Sequence, residues 1–270
     1  MDKEFTITLP KAGTNEDITT KHSLLIIGAN GSGKTRLGTL IDLNSPQSAK
    51  VHRISAQKSL AMPDNTTPMS IDRAEKDLLY GSADANGALF NYKSGHKWHG
   101  RPAISPLDDY NKLMVYLFSD NIEETTKYVT TAKTTTERVE PPITKLDLVK
   151  KIWEIILPHR ELIVGGLRLQ TTIKGQENAT YNSSEMSDGE RVIFYLIGQC
   201  LAAPENGIII IDEPEIHLHK SVQAPLWQEI EKLRPDCLFI YMTHDVDFAA
   251  SLQDVQKIWL KSFNGATWEW

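Results

Sequence analysis

The chain has 270 residues, a formal net charge of −6, 40% hydrophobic and 24% charged residues. That is ordinary globular composition, long enough for one large α/β domain with an insertion and able to bury a core without disulfides. The acidic balance argues against a surface wholly devoted to nucleic acid, and the two cysteines, Cys200 and Cys237, lie in apolar runs without metal-ligand spacing. No apolar run is long enough to cross a bilayer, and MDKEFTITLP has no apolar leader core, so a cytoplasmic protein without membrane contact is expected.

In chain order, Phe5–Leu9 alternates as an edge strand does, and Ser23–Ile27 is a short apolar run ending at glycine, the pattern of a buried strand. Residues 28–35 form a glycine-rich turn opening onto a helix over Thr35–Asp42, and Val51–Ala56 reads as a second short strand. From 61 to 180 the texture changes. Helical spacing is predicted over Tyr110–Leu117 and Leu146–Leu157, the latter with Leu148, Ile152, Ile155 and Ile156 on one side. Between them TTAKTTTERVEPP reads as a mobile loop, and Leu162–Ile173 as a strand or hairpin. Glu190–Ala203 is an apolar helix, and Ile208–Ile211 a β-branched strand buried on both faces. A helix over Ser221–Leu233 and a strand over Cys237–Met242 follow. Lys257–Leu260 and Ala266–Trp270 fit a closing hairpin turning at Asn264-Gly265. The order predicts a doubly wound α/β core from 1–60 and 181–270, with 61–180 a mostly helical insertion.

Two motifs carry chemistry directly. Gly28-Ala-Asn30-Gly31-Ser32-Gly33-Lys34-Thr35 satisfies the phosphate-loop pattern, in which glycines let backbone N–H groups curl toward a polyphosphate at a helix N-terminus. Lys34 is expected to reach the β- and γ-phosphates and Thr35 to bind Mg²⁺, with Asn30, Gly31, Ser32, Gly33 and Arg36 completing the ATP-binding set. The strand Ile208–Ile211 ends in Asp212-Glu213. In this architecture Asp212 is placed to hold Mg²⁺ and Glu213 to polarise the attacking water.

Met186-Ser187-Asp188-Gly189-Glu190-Arg191, read alone, is a helix capping box. Together with Arg53-Ile-Ser-Ala-Gln57 and Thr243-His244-Asp245, and in this order around the two motifs above, it resembles the ABC-type P-loop ATPases. The fold this implies is an ABC-ATPase domain with a mixed, mainly parallel sheet and a mostly helical lid. The resemblance implies ATP and Mg²⁺ as cofactors, Gln57 near the metal, and His244 as a catalytic switch residue beside Glu213 and Lys34. It also implies that Ser187, Asp188, Gly189 and Glu190 complete the site of a second copy in an ATP-sandwich homodimer or a larger ring of dimers.

Pro214-Glu215-Ile216-His217-Leu218-His219 looks like the OLD-type and RecF-like branch, which acts in phage defence and DNA repair. The pieces together most resemble the AriA-type ATPases of the PARIS anti-phage systems, as a split subunit or as the ATPase part of a fusion. That implies a slow, dimer-dependent ATPase acting as sensor of a TOPRIM-like effector and responding to a phage trigger protein. The alternatives are a RecF-like repair ATPase acting on DNA, with Lys127, Lys133, Arg138, Lys145, Lys150 and Lys151 as its basic face, and a transporter subunit.

Overall fold

The computed structural model describes residues 3–87 and 89–270. Contacts divide the chain into two compact units, one of residues 1–58, 93–107 and 203–270, the other of 59–92 and 108–202.

In the first unit, β1 (Phe5–Lys11) and β2 (Thr14–Thr20) form an antiparallel hairpin. Its turn, Ala12-Gly13, has positive φ at both residues, as the tight hairpin turn requires. The β2 sequence, TNEDITT, is too polar to announce a strand. Its main apolar side chain, Ile18, pairs with Ile7 across the ladder, and both are buried.

The centre of this unit is a five-stranded sheet, wholly parallel, in the order β10-β3-β9-β8-β4. The strands are β3 (Leu24–Ile27), β4 (Val51–Ile54), β8 (Ile208–Asp212), β9 (Leu238–Thr243) and β10 (Gln256–Trp259). Antiparallel pairing is confined to separate small sheets. Helices α1 (Lys34–Asn44), α7 (Lys220–Leu233) and α8 (Val246–Ser251) connect or follow these strands. The β8 run of isoleucines has no polar break because both faces are covered, Ile208 and Ile210 joining one apolar cluster while Ile209 and Ile211 are equally buried. Parallel strands put their C-terminal ends at one edge, so the segments after β3, β8 and β9 meet there.

The expected closing hairpin is corrected. Lys257–Leu260 does not fold back on the C-terminus but supplies β10, paired in parallel with β3. The hairpin is instead β11 (Ser262–Phe263) with β12 (Trp268–Glu269), around a turn in which Asn264 Oδ1 accepts from the N–H groups of Ala266 and Thr267.

The second unit holds α2 (Ile71–Tyr80), the short α3 (Leu89–Tyr92), α4 (Tyr110–Thr134), α5 (Lys145–Ile156) and α6 (Asp188–Ala202). It also holds the antiparallel sheet β5 (Arg160–Gly165), β6 (Arg168–Ile173) and β7 (Gln176–Asn182). The threonine-rich stretch is not a loop from its start, since α4 runs through Thr134. Hydroxyls of Thr125 and Thr131 donate to carbonyls four residues back, letting threonine sit in the exposed last turns. On α5 the buried stripe is Leu146, Val149, Ile152, Trp153 and Ile156, while Ile155 is half exposed. The stripe is rotated from the predicted one because Trp153 turns inward, its Nε1–H donating to the Glu190 carbonyl at 3.1 Å.

The units do not follow breaks at residues 60 and 180. Residues 93–107 group with the first unit through Trp98 and Leu107, which pack on Leu43, and 181–202 group with the second because α6 packs on α4 and α5.

Candidate active site

The loop between β3 and α1 is held in a cradle shape by two close approaches. Gly31 and Gly33 have φ of +83° and +94°. A Cβ on Gly33 would lie 2.5 Å from Phe263 Cβ, and one on Gly28 would lie 2.6 Å from the Leu260 carbonyl. Trp268 Nε1–H donates to the Gly33 carbonyl at 3.2 Å, so the C-terminal hairpin buttresses the loop. Lys34 is buried, its ammonium donating to the carbonyls of Gly28 at 2.8 Å and Ala29 at 3.3 Å. Asn30, Gly31, Thr35 and Arg36 are exposed, and the Arg36 guanidinium lies 5.6 Å from the Phe263 ring centroid. Ser32 Oγ is buried without a hydrogen-bond partner.

Asp212 ends β8, buried, with Oδ2 3.1 Å from Arg53 Nη1. Its Oδ1 has no partner. Burial pushes its pKa up to about 6, against the opposing pull of the Arg53 guanidinium.

Glu213 follows in the left-handed region, φ +51°, a conformation that costs a non-glycine residue and is found at functional sites. Its N–H donates to the Met242 carbonyl at 2.8 Å, which tethers the turn to β9. The side chain points toward two predicted partners. Oε1 lies 3.8 Å from Lys34 Nζ, and Oε2 lies 2.7 Å from His244 Nδ1. Glu215 lies beneath them, 9% exposed, accepting from the Thr243 hydroxyl at 2.7 Å. Burial, then the neighbouring Glu213 carboxylate, raises its pKa to about 7. Ligand atoms of Glu213, Glu215 and His244 all fall within 4.8 Å of one another. Gln57 is exposed just after β4, its carbonyl accepting from Leu107 N–H at 3.0 Å. His217 and His219 are exposed, and His219 Nδ1 caps α7 by accepting from the Ser221 N–H.

The structure thus gathers the 28–36 loop, Asp212, Glu213 and His244 on one sheet edge of the first unit. Ser187, Asp188, Gly189 and Glu190 belong to the second unit, at the start of α6. There the capping box is formed. Glu190 Oε2 accepts from the Ser187 N–H and hydroxyl, both at 2.8 Å, and the Glu190 N–H donates back to Ser187 Oγ at 3.3 Å. Tyr181 donates to Glu190 Oε1 at 2.8 Å and Arg160 pairs with it at 3.1 Å. Burial opposes ionisation of Glu190, and these bonds outweigh it and lower its pKa. Ser187 and Asp188 are exposed, while the Glu190 side chain is buried within its own cap.

Sequence reasoning did not single out the buried contacts of Arg53, though a charged side chain inside a short strand was their signal. It also missed Glu215, Asp42, Lys93 and Trp98, whose roles rest on contacts from separate segments.

The residues present fit a nucleotide and a divalent cation. The cradle cannot carry side chains at Gly28 or Gly33, an ammonium lies in it, and the buried Ser32 Oγ and Asp212 Oδ1 lack partners.

Residues 136–249 match the family described as "AAA domain, putative AbiEii toxin, Type IV TA system". A "Retron Ec83 probable ATPase" of Escherichia coli is 31% identical over 100 residues, which is 33% of this chain and 18% of that protein. The chain therefore matches less than a fifth of the length of this relative. Among solved structures, the nucleotide-free ATP-binding cassette of an ABC transporter aligns over 98% of this chain and 89% of its own, at 15% identity and TM-score 0.45. The SmcHead bound to the C-winged helix domain of ScpA aligns over 99% and 95%, at 17% identity and TM-score 0.49. No described helix is long and apolar enough to cross a membrane.

Proposed function

We propose that the chain is an ABC-type ATPase that binds ATP with Mg²⁺ and hydrolyses it in a dimer whose two copies share each nucleotide. The observation that carries this reading is the convergence of Lys34, Glu213 and His244 within hydrogen-bonding and ion-pairing reach at the mouth of a glycine cradle. Loop N–H groups and Lys34 bind the phosphates. Asp212, through its free Oδ1, together with Thr35 and Gln57, would hold Mg²⁺, which would supply positive charge against that of the phosphates. Glu213 orients and deprotonates the attacking water, and His244 holds Glu213 in place. Of the signature residues, Ser187, Asp188 and Gly189 meet the γ-phosphate held by the other copy, with the N-terminus of α6 behind them. Glu190 acts by fixing Ser187 rather than by touching nucleotide.

Complementation tests the shared site. Ser187→Arg and Glu213→Gln are each expected to slow turnover by at least ~10²-fold. Mixed together, they form heterodimers with one intact site, pairing Glu213 of one copy with Ser187 of the other. Recovery of turnover on mixing is expected; no recovery at any mixing ratio sinks the dimer reading.

At the next level we read the chain as the ATP-driven sensor of a separate TOPRIM-like effector, released by a phage trigger protein, as in PARIS-type systems. The match to a family named for a type IV toxin–antitoxin component, and to a retron ATPase, supports a place in such a multi-part system. Co-purification of effector with the Glu213→Gln variant in ATP, and its release by trigger protein, is the test. The DNA-repair alternative loses ground on the proposed basic face. Of its six residues, four are paired with carboxylates, Lys127 with Glu123 and Glu124, Arg138 with Glu140, Lys145 with Asp120 and Lys150 with Glu154.

A further inference from the structure

Beneath Asp212 lies a buried set of charges that the reaction above does not use. Arg53 is fully buried in β4. Its Nη1 holds Asp212 Oδ2 at 3.1 Å, and its Nε lies 3.7 Å from Asp42 Oδ2 on α1. Three groups of the 93–107 segment fix these two residues. Trp98 Nε1–H donates to Asp42 Oδ2 at 2.9 Å, and Lys93 pairs with Asp42 while donating to the Val51 carbonyl at 2.6 Å. The Pro102 carbonyl accepts from Arg53 Nη2, and the Trp98 ring lies 4.1 Å under the guanidinium. Two cations and two carboxylates therefore balance inside the fold, where an uncompensated charge would be costly.

This arrangement has a directional consequence. A carboxylate with both oxygens free can swing, and can bind a cation through either oxygen or both. Arg53 ties down Oδ2 and leaves Oδ1 as the single open acceptor of Asp212, aimed by a guanidinium that is itself held on three sides. A lysine there would keep the charge but lose the planar fork that reaches Asp212, Asp42 and Pro102 at once.

We propose that Arg53 is a positioning residue for the metal-holding carboxylate, and that the 93–107 segment sets its geometry through Trp98, Lys93 and Pro102. The inference rests on the ATPase reading for the identity of the cation, but its evidence is the buried network alone. The segment reaches Asp212 only through the hydrogen bonds and ring contact on Arg53. Because Arg53 touches neither the cradle nor Lys34 among its recorded partners, it is expected to govern the metal-dependent part of nucleotide binding and leave the metal-free part alone.

The test measures ATP affinity of the full chain in EDTA and in Mg²⁺, and Mn²⁺ binding with ATP by electron paramagnetic resonance. The variants are Arg53→Lys and, as a second change that spares the buried arginine, Trp98→Phe, which removes one donor and keeps an aromatic ring. Outer partners of metal ligands typically alter metal affinity ~10- to 100-fold. Arg53→Lys is expected to fall in that range for Mn²⁺ and to lose most of the tightening by Mg²⁺, with EDTA affinity unchanged. Trp98→Phe should show the same pattern in smaller measure. If Trp98→Phe and a folded Arg53→Lys both retain wild-type Mn²⁺ and Mg²⁺ responses, or lose EDTA affinity equally, the positioning role is overturned. Should wild type itself bind no ATP in either condition, the ATPase reading fails instead.

Discussion

Glu213 Oε2 and His244 Nδ1 lie 2.7 Å apart, although the residues come from the ends of two different strands and Glu213 must adopt a left-handed backbone to make the contact. The hydrogen bond from its N–H to Met242 keeps that turn in place. The carboxylate is thus fixed before any ligand arrives, which is what a group that orients water needs.

Glu213→Gln is therefore expected to bind ATP with near wild-type affinity and to turn it over ~10²- to 10⁴-fold more slowly, the usual effect of losing a general base. The amide keeps the shape and can still bond His244. Equilibrium binding and steady-state turnover on the same preparation check this. A variant with unchanged turnover would remove Glu213 from the reaction.

Lys34→Ala should have the opposite signature. Its ammonium bonds the Gly28 and Ala29 carbonyls and lies beside Glu213, and in the nucleotide complex it is expected to leave those carbonyls for phosphate. Removing it is expected to weaken ATP binding at least tenfold, read by calorimetry, while the fold persists because loop shape rests on Gly28 and Gly33 against Leu260 and Phe263.

Ser187 serves its own helix as well as the proposed partner site. Ser187→Ala loses the capping box with Glu190 and should lower unfolding free energy by about 1 kcal/mol. Ser187→Asn can still cap α6, so it should recover most of that stability while failing to restore turnover. Thermal melts and turnover, measured together, separate the two duties.

The parts of this site legible in the sequence are those where one short segment carries both the fold signal and the chemistry. The glycine loop after an apolar strand and the Asp-Glu pair closing Ile208–Ile211 are such segments. What was not legible depends on pairing between distant segments. Polar β2 becomes a strand only because β1 lies beside it, and Lys257–Leu260 joins the parallel sheet because β3 offers an open edge. Arg53 looked like an ordinary charge until Asp42, Trp98 and Pro102 surrounded it. The rotation of α5 was set by one tryptophan bonding Glu190, which no periodicity of apolar residues encodes.

Glu215 gives a prediction in pH. It is buried beside Glu213, and burial followed by its hydrogen bond with that neighbour raises its pKa from 4.5 to about 7. A carboxyl with a raised native pKa binds its proton more tightly folded than unfolded. Its contribution to stability is therefore complete below pH 4.5 and is lost as pH rises toward about 7, the reverse of a salt-bridged carboxylate. Glu215→Gln removes the titrating group yet can accept from Thr243 as before. Subtracting its stability from that of wild type cancels every other titration. The difference should shift in favour of the glutamine variant between pH 5 and pH 8, by at most roughly 3 kcal/mol at ~1.4 kcal/mol per pH unit. Denaturant melts at the two pH values decide it. A constant difference would mean that folding does not raise the Glu215 pKa.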